Sequence, residues 1–364
     1  MKVALVYDRV NKWGGAERVL LALHKIFPDA PLYTSVYDKK KAPWAKTFDI
    51  RTSFLQNIPF ASSNHELLAP LMPLAFESFN FDEYDLVISI TSEAAKGIIT
   101  KPGTLHICYC LTPTRYLWSG YEEYFKSGIL KLLLKPLIFT LRRWDKLASA
   151  RPDKYIAISE EVQKRIKKYY GRDSEVVYPP VTFVNTKYEI NTKYKIQNTE
   201  YYLVVSRLSK FTRYKRVDLA IEACNKLKLP LVVVGEGSLK KELQEMAGPA
   251  IKFVGEISDS ELLEYYKNCK ALIFPGNEDL GLVMVEAQNQ GKPVIAFNSG
   301  GAKEIVTDKK TGLFFDKQNV TSLIDVIQKF NSYKFDPKVS MSNAKKFDFQ
   351  NFKENFLSVV NNLI

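Results

Sequence analysis

Cysteine and histidine are scarce in this chain: four cysteines (Cys108, Cys110, Cys224, Cys269) and three histidines in 364 residues. Thiols so few and so scattered exclude the disulfide framework of a small secreted domain. Long apolar runs are also missing. No stretch has the length and hydrophobicity to span a bilayer, and the apolar start of the chain reaches Asp8 too soon for a signal peptide. The expected location is therefore the reducing cytoplasm. Neither half carries the full three-glycine fingerprint followed by an acidic ribose partner, which argues against a dehydrogenase. Acidic residues are outnumbered, 40 Asp and Glu against 52 Lys and Arg.

What is present starts with enough chain for two hydrophobic cores, since one core usually stops growing well below this length. The 46% hydrophobic content excludes a disordered protein. Basic charge is concentrated between Lys126 and Arg172, where 13 Lys and Arg face 4 Asp and Glu. Within it, residues 129–141 interleave lysines with leucines and run into Arg142-Arg143-Trp144, the make-up of a segment lying on an anionic membrane. A helix packed on a sheet with its basic side in water has the same composition. Nucleic acid is the less suited partner.

Short apolar strands alternate with helical patterns, which predicts parallel sheets covered by helices. In the first half strands are expected at 2–7, 32–37, 86–90, 106–109 and 154–158, with helices at 16–27, 94–100 and 160–169. The Pro- and Phe-rich stretch 48–82 fits this alternation poorly. His106, Cys108 and Cys110 alternate, so a strand would put all three on one face. Burial as small core residues is the expected role there, and no metal site is expected. In the second half six strands (201–205, 231–234, 251–254, 271–274, 293–296, 313–315) alternate with helices near 217–226, 239–246, 259–268, 282–290 and 320–330, which predicts a doubly wound sheet.

The stretch Phe274–Ala296 concentrates the chemistry. A strand runs through Glu278, Asp279 and Gly281 into a helix beginning near Leu282, whose free amides suit a phosphate. Gly281 lets the backbone approach such a ligand. Glu286 lies on the order of 7 Å along the helix from Gly281. Two carboxylates beside an anion-binding turn suit a nucleotide sugar, which offers hydroxyls on either side of its diphosphate. Acids that merely favour a first helical turn give the same pattern. Arg207, just past the first strand of this half, and Lys215 are placed to neutralise a diphosphate. The turns at Gly235-Glu236-Gly237 and Gly255-Glu256-Ile257 lie on the same edge, and Gly14-Gly15 forms a strand, turn and helix unit near the start of the chain.

Glu278 and Glu286 with Gly291-Lys292-Pro293-Val294-Ile295-Ala296 and Gly300-Gly301 resemble the donor-site signature of the family four retaining glycosyltransferases. Gly14-Gly15-Ala16-Glu17-Arg18-Val19, Arg51 to Leu55, Tyr109 to Trp118, Tyr178-Pro179-Pro180-Val181, Ser206-Arg207-Leu208 and Tyr214-Lys215-Arg216 are similar to a branch of mannosyltransferase-like enzymes of bacterial surface-polysaccharide assembly. Leu111 and Thr182 depart from it: the branch usually has histidine and often aspartate there.

The resemblance implies an α/β protein of GT-B architecture, two doubly wound Rossmann-like domains facing across a cleft. An acceptor domain is expected over 1–178 plus 347–364, a linker over 179–200, and a donor domain over 201–346. It implies transfer of a hexose, mannose first, from a nucleoside diphosphate sugar to a saccharide or lipid-linked saccharide. GDP-mannose is the first choice of donor and a UDP-sugar the second, with no cofactor and no metal. Glu278, Arg207 and Lys215 would be catalytic. Gly14, Gly15, Gly235, Gly237, Ile257, Asp279, Gly281, Leu282, Val283 and Glu286 would bind donor, and Thr112 and Arg115 would lie on the acceptor side. Peripheral contact with the inner face of the cell membrane would fall to 126–146. An epimerase, a phosphorylase with pyridoxal, and a non-catalytic binder of sugar nucleotides share the architecture and remain alternatives.

Overall fold

The computed structural model describes all residues except 60, 62–64, 126–127 and 182–200. The chain divides into two compact units, Met1–Pro180 with Phe352–Ile364, and Val181–Asn351. Most of the expected linker, from 182 onward, lies outside the described residues.

In the first unit the strands are β1 (Val3–Tyr7), β2 (Leu32–Thr34), β3 (Ile50–Thr52), β4 (Leu86–Thr91), β5 (Leu105–Cys110), β6 (Lys154–Ala157) and β7 (Glu175–Val176). They pair in parallel in the order β3-β2-β1-β4-β5-β6-β7. Central β4 is buried at all six positions, which is why it reads as a continuous apolar run rather than an alternating one. The helices are α1 (Gly15–Ile26), α2 (Met72–Glu77), α3 (Tyr121–Tyr124), α4 (Gly128–Ala148) and α5 (Glu160–Tyr170). Ser159 caps α5 by accepting from Val162 N, and Gly171 ends it at φ 70°, where only glycine is comfortable.

Three details differ from expectation. Strands β3 and β7 are only three and two residues long, too short to leave a periodic signal. The helix expected over 94–100 is a single 3₁₀ turn, Ala95–Gly97, because the Asp8 carboxylate takes the amides of Ala94 and Ala95 and fixes a tight cap. Stretch 48–82 supplies β3, further 3₁₀ turns and α2, which pack Leu55, Met72, Ala75, Phe76 and Phe81 against Val6 and Val87.

The second unit holds β8 (Tyr202–Val205), β9 (Leu231–Val234), β10 (Ile251–Gly255), β11 (Ala271–Phe274), β12 (Val294–Phe297) and β13 (Gly312–Phe315). Its order is β10-β9-β8-β11-β12-β13, all parallel. Helices α6 (Val217–Leu227), α7 (Lys240–Met246), α8 (Asp259–Asn268), α9 (Leu282–Asn289) and α11 (Val320–Phe330) match expected positions, while α10 (Ala302–Ile305) and α12 (Pro337–Ala344) are additional. Ser258 and Glu261 form a capping box at the start of α8. The last helix, α13 (Phe349–Asn361), passes from the second unit into the first. There its Phe352 and Phe356 rings lie 6.0 and 6.3 Å from Tyr109.

Candidate functional site

Open parallel sheets bind ligands outside the carboxyl ends of their strands, where the strand order reverses. In the second unit that point lies between β8 and β11. The loop after β8 ends in a 3₁₀ segment, Lys210–Lys215, and the loop after β11 runs from Pro275 to Gly281 into α9. Glycine brings the two together. A Cβ at Gly276 would lie 2.8 Å from Lys215 Cα, so only hydrogen fits, and Asn277 N donates to Tyr214 O at 3.3 Å. Lys215 Nζ consequently sits 2.6 Å from Glu278 Oε1, with side chains 19% and 17% exposed. Two residues expected to be catalytic thus form an ion pair across the switch point, open enough to meet a ligand.

Gly300 and Gly301 support the same loop from below. A Cβ at Gly300 would meet Glu278 O at 2.4 Å, one at Gly301 would meet Leu280 Cα at 2.3 Å, and Gly301 N donates to Glu278 O. Gly281 caps α9 at φ 93° and, being glycine, offers no side-chain cap to the first-turn amides, where Leu282 and Val283 stand. The reading of Gly281 as room for a ligand needs correction. The space beside its Cα is filled by the Phe274 ring and the Met284 methyl, at 2.6 and 2.7 Å from a Cβ, so the glycine serves packing and a left-handed turn.

Gly235 and Gly237 are likewise occupied by protein. Their Cβ atoms would strike Ser206 O and Leu208 O at 1.9 and 2.2 Å, which locks the turn after β9 beneath the one after β8. Ile257 is half-buried, immediately before the α8 cap. Asp279 is half-buried beside Glu278. Arg207 is exposed and lines a groove with Arg213 and Glu242; among the described residues its guanidinium has no hydrogen-bond or ion-pair partner. Glu286 is only 3% exposed, and its Oε2 accepts from the wholly buried Tyr266 hydroxyl at 2.6 Å. It is neither solvated nor simply facing the turn. Tyr266 and Gly276 carried no sequence signal, because their roles depend on contacts distant along the chain.

The first unit has its own switch point, between β1 and β4. Here Asp8 is buried and accepts from Thr91 Oγ1 at 2.8 Å and from the amides of Ser92, Ala94 and Ala95 at 2.7 to 2.9 Å. Burial, then repulsion from Glu93, holds its carboxyl above the usual range. Arg9 pairs with Glu93 at 2.5 Å. Gly14 precedes α1 in extended backbone that any residue adopts, Gly15 is the helix's first residue, and Tyr7 donates to the buried Glu17 at 2.7 Å. At the end of β5, Thr112 is buried with no hydrogen-bond partner for its hydroxyl among the described residues, and Arg115 is half-buried. Next to it Thr114 Oγ1 donates to Asp145 at 2.9 Å. That carboxylate also takes Lys96 at 2.6 Å and the Trp118 indole at 2.7 Å. His106 bonds Ser89 at 2.8 Å. Burial, then the Arg151 charge, takes its pKa down to about 3. Cys108 and Cys110 are buried thiols beside it, and among the described residues no cluster of His, Cys, Asp and Glu has the make-up of a metal site.

The fold as a whole is shared with solved proteins along their full length. The Anabaena protein Alr3699/HepE, crystallised with UDP, superposes with a TM-score of 0.71 over 100% of both chains at 21% identity. The fold is GT-B. Within it, residues 187–347, mostly the second unit, match the family model for glycosyl transferases group 1. Similar sequences include an uncharacterized glycosyltransferase of Methanocaldococcus jannaschii, 26% identical over 57% of each chain. A GDP-mannose-dependent α-(1-6)-phosphatidylinositol monomannoside mannosyltransferase of Mycobacterium tuberculosis is 36% identical over 27% of this chain and 29% of its own. The chain thus matches little over half of the first relative's length and under a third of the second's. The second GT-B unit carries the better-matched sequence and the more open switch point.

Proposed function

We propose that the chain is a retaining glycosyltransferase that moves a hexose, mannose by first choice, from a nucleoside diphosphate sugar to a saccharide or lipid-linked saccharide in surface-polysaccharide synthesis. The observation that carries this is the half-open Lys215–Glu278 pair over the uncapped start of α9. A nucleotide sugar joins hydroxyls and diphosphate through one anomeric oxygen, so an acid for the first and a cation for the second belong side by side. Glu278 accepts from the transferred sugar's hydroxyls. Lys215, the exposed Arg207 and the Leu282 and Val283 amides take the diphosphate, where negative charge grows as the bond from the anomeric carbon to the phosphate oxygen breaks. The acceptor hydroxyl bonds to that carbon, and its proton leaves with the diphosphate. Glu286, oriented by Tyr266, accepts from the ribose.

The mycobacterial relative's name favours GDP-mannose and the Anabaena complex favours a uridine nucleotide, which leaves the base to experiment. Among the described residues no helix is long and apolar enough to cross a membrane. Peripheral contact on the cytoplasmic face is instead assigned to α4, which exposes Leu132, Leu133 and Phe139 beside Lys135 and Arg143. The test is a panel of nucleotide sugars in thermal shift, followed by diphosphate release with lipid-linked saccharides. The true donor raises the melting temperature and releases diphosphate only with acceptor. Binding with no release in the presence of any acceptor would return the chain to the class of sugar-nucleotide binders, and no stabilisation by any donor would remove the reading.

A further inference from the structure

Helix α4 does more than present apolar side chains. Lys131, Lys135 and Arg142 recur at spacings of four and seven residues, so they lie along one stripe of the helix. Between this stripe and Tyr121 runs a groove of about 460 Å³, whose outer wall is Leu132 and Phe139, 71% and 62% exposed. The groove therefore has a cationic floor and an apolar lip.

The three cations are held to different degrees. Arg142 is fixed: its Nε donates to Leu117 O at 2.6 Å, and its guanidinium lies 5.6 Å from the Trp118 ring and 4.6 Å from that of Tyr121. Lys131 pairs with Glu122 at 2.6 Å, in a pair whose side chains are 35% and 77% exposed. Pairs that open contribute little, so a phosphate displaces Glu122 at small cost. Lys135 is exposed and has no hydrogen-bond or ion-pair partner among the described residues. Two cations are thus available and a third is preorganised, more charge than one phosphodiester needs.

The groove is also joined to the acceptor-side loop. The carbonyl that holds Arg142 belongs to the segment after β5, and Asp145 on the same helix binds Thr114 and Trp118 of that segment. We propose that this groove binds the diphosphate of a lipid-linked saccharide acceptor. Lys131, Lys135 and Arg142 meet its two charges, the lipid lies along Leu132 and Phe139 toward the bilayer, and the saccharide extends toward Thr112 and Arg115. This rests on the lipid-linked reading of the acceptor and adds to it a fixed anchoring point.

The test uses the full chain and co-sedimentation with phosphatidylcholine vesicles carrying undecaprenyl diphosphate, beside vesicles brought to equal negative charge with phosphatidylglycerol. The wild type is expected to bind the diphosphate vesicles about tenfold more tightly, a difference of about 1.4 kcal/mol. Lys131→Gln with Lys135→Gln should abolish that preference. Lys164→Gln with Lys168→Gln, which removes the same charge from α5 in the same basic region, should keep it. Equal binding to both vesicle types, or equal losses in the two variants, would mean that surface charge alone attracts the protein, and the groove proposal would be withdrawn. Titration of the same variants with GDP and UDP keeps the outcomes apart. Retained nucleotide binding confines a failure to the groove, whereas a wild type that binds neither nucleotide fails on the function itself.

Discussion

The two switch points make a natural comparison, because each joins a loop from one half of its sheet to a loop from the other through an acidic side chain. In the first unit Asp8 is buried and saturated by the turn it caps. In the second, Glu278 keeps 17% of its side chain open and leans on one lysine. Topology alone nominates both places. Saturation separates them: an acid that has spent its acceptor capacity on its own backbone holds the fold, and one left with accessible lone pairs can hold a ligand.

The largest expected effect breaks the sealed side. Asp8→Ala strips partners from buried amides of Ala94 and Ala95 and from Thr91, at roughly 1–3 kcal/mol for each donor left unsatisfied. A loss of about 3–5 kcal/mol is expected in urea unfolding. A loss below about 1 kcal/mol would show that the turn is held by something else. Nearly as large, but in rate rather than stability, is Glu278→Gln. A half-open pair that solvent still reaches contributes on the order of 1 kcal/mol to folding. Its loss from the reacting centre should lower kcat by about 10²–10³-fold. A variant with near-normal turnover, or one that mainly unfolds, would erase the contrast between the two acids.

A pH series sharpens the contrast further. His106, whose pKa burial takes down to about 3, is neutral in the fold across the whole range in which an unfolded histidine charges near 6.5. Below about pH 6.5 the unfolded chain binds a proton that the folded chain does not, so stability falls as pH drops toward 3 and is flat above. The slope is about 1.4 kcal/mol per pH unit, or about 2 kcal/mol lost at pH 5. His106→Gln keeps a partner for Ser89 and should remove that part of the slope. An unchanged slope would assign the acid sensitivity to other groups.

The sequence was most legible where its signal is local. In the second unit, four- and five-residue apolar strands alternating with helical patterns place all six strands, and the Glu278 to Glu286 stretch marks the loop and helix after β11. Other features depend on partners far along the chain. Gly276 makes room for Lys215, 61 positions earlier, and nothing near either residue announces it. The same holds for Asp8 with Ala94, and for Asp145 with Lys96 and Thr114. Strands β3 and β7 escaped because two or three residues cannot show a period. Gly281 misled in an instructive way. Its left-handed turn was legible, yet the space it frees is taken by Phe274 and Met284, as only the folded packing reveals.

The smallest expected effect concerns how the second glutamate is held. Glu286 and Glu17 are both buried, and each accepts from a buried tyrosine, Tyr266 at 2.6 Å and Tyr7 at 2.7 Å. The two pairs look alike, but only Glu286 stands on a helix whose start adjoins the open switch point. Tyr266→Phe removes one charge-assisted hydrogen bond and no packing volume, a change of about 1.5–3 kcal/mol in gross terms, softened where the carboxylate keeps other partners. About 1 kcal/mol should appear as a roughly fivefold rise in KM for the nucleotide sugar, with kcat unchanged, because the ribose contact is made equally in ground and transition states. A donor carrying 2′-deoxyribose should lose its disadvantage against the ribose donor in the variant. Tyr7→Phe should lower stability by a similar amount and leave both kinetic constants alone. If the two variants instead behaved alike, Tyr266 would be a fold-holding residue of the Tyr7 kind, and Glu286 would leave the donor site with it.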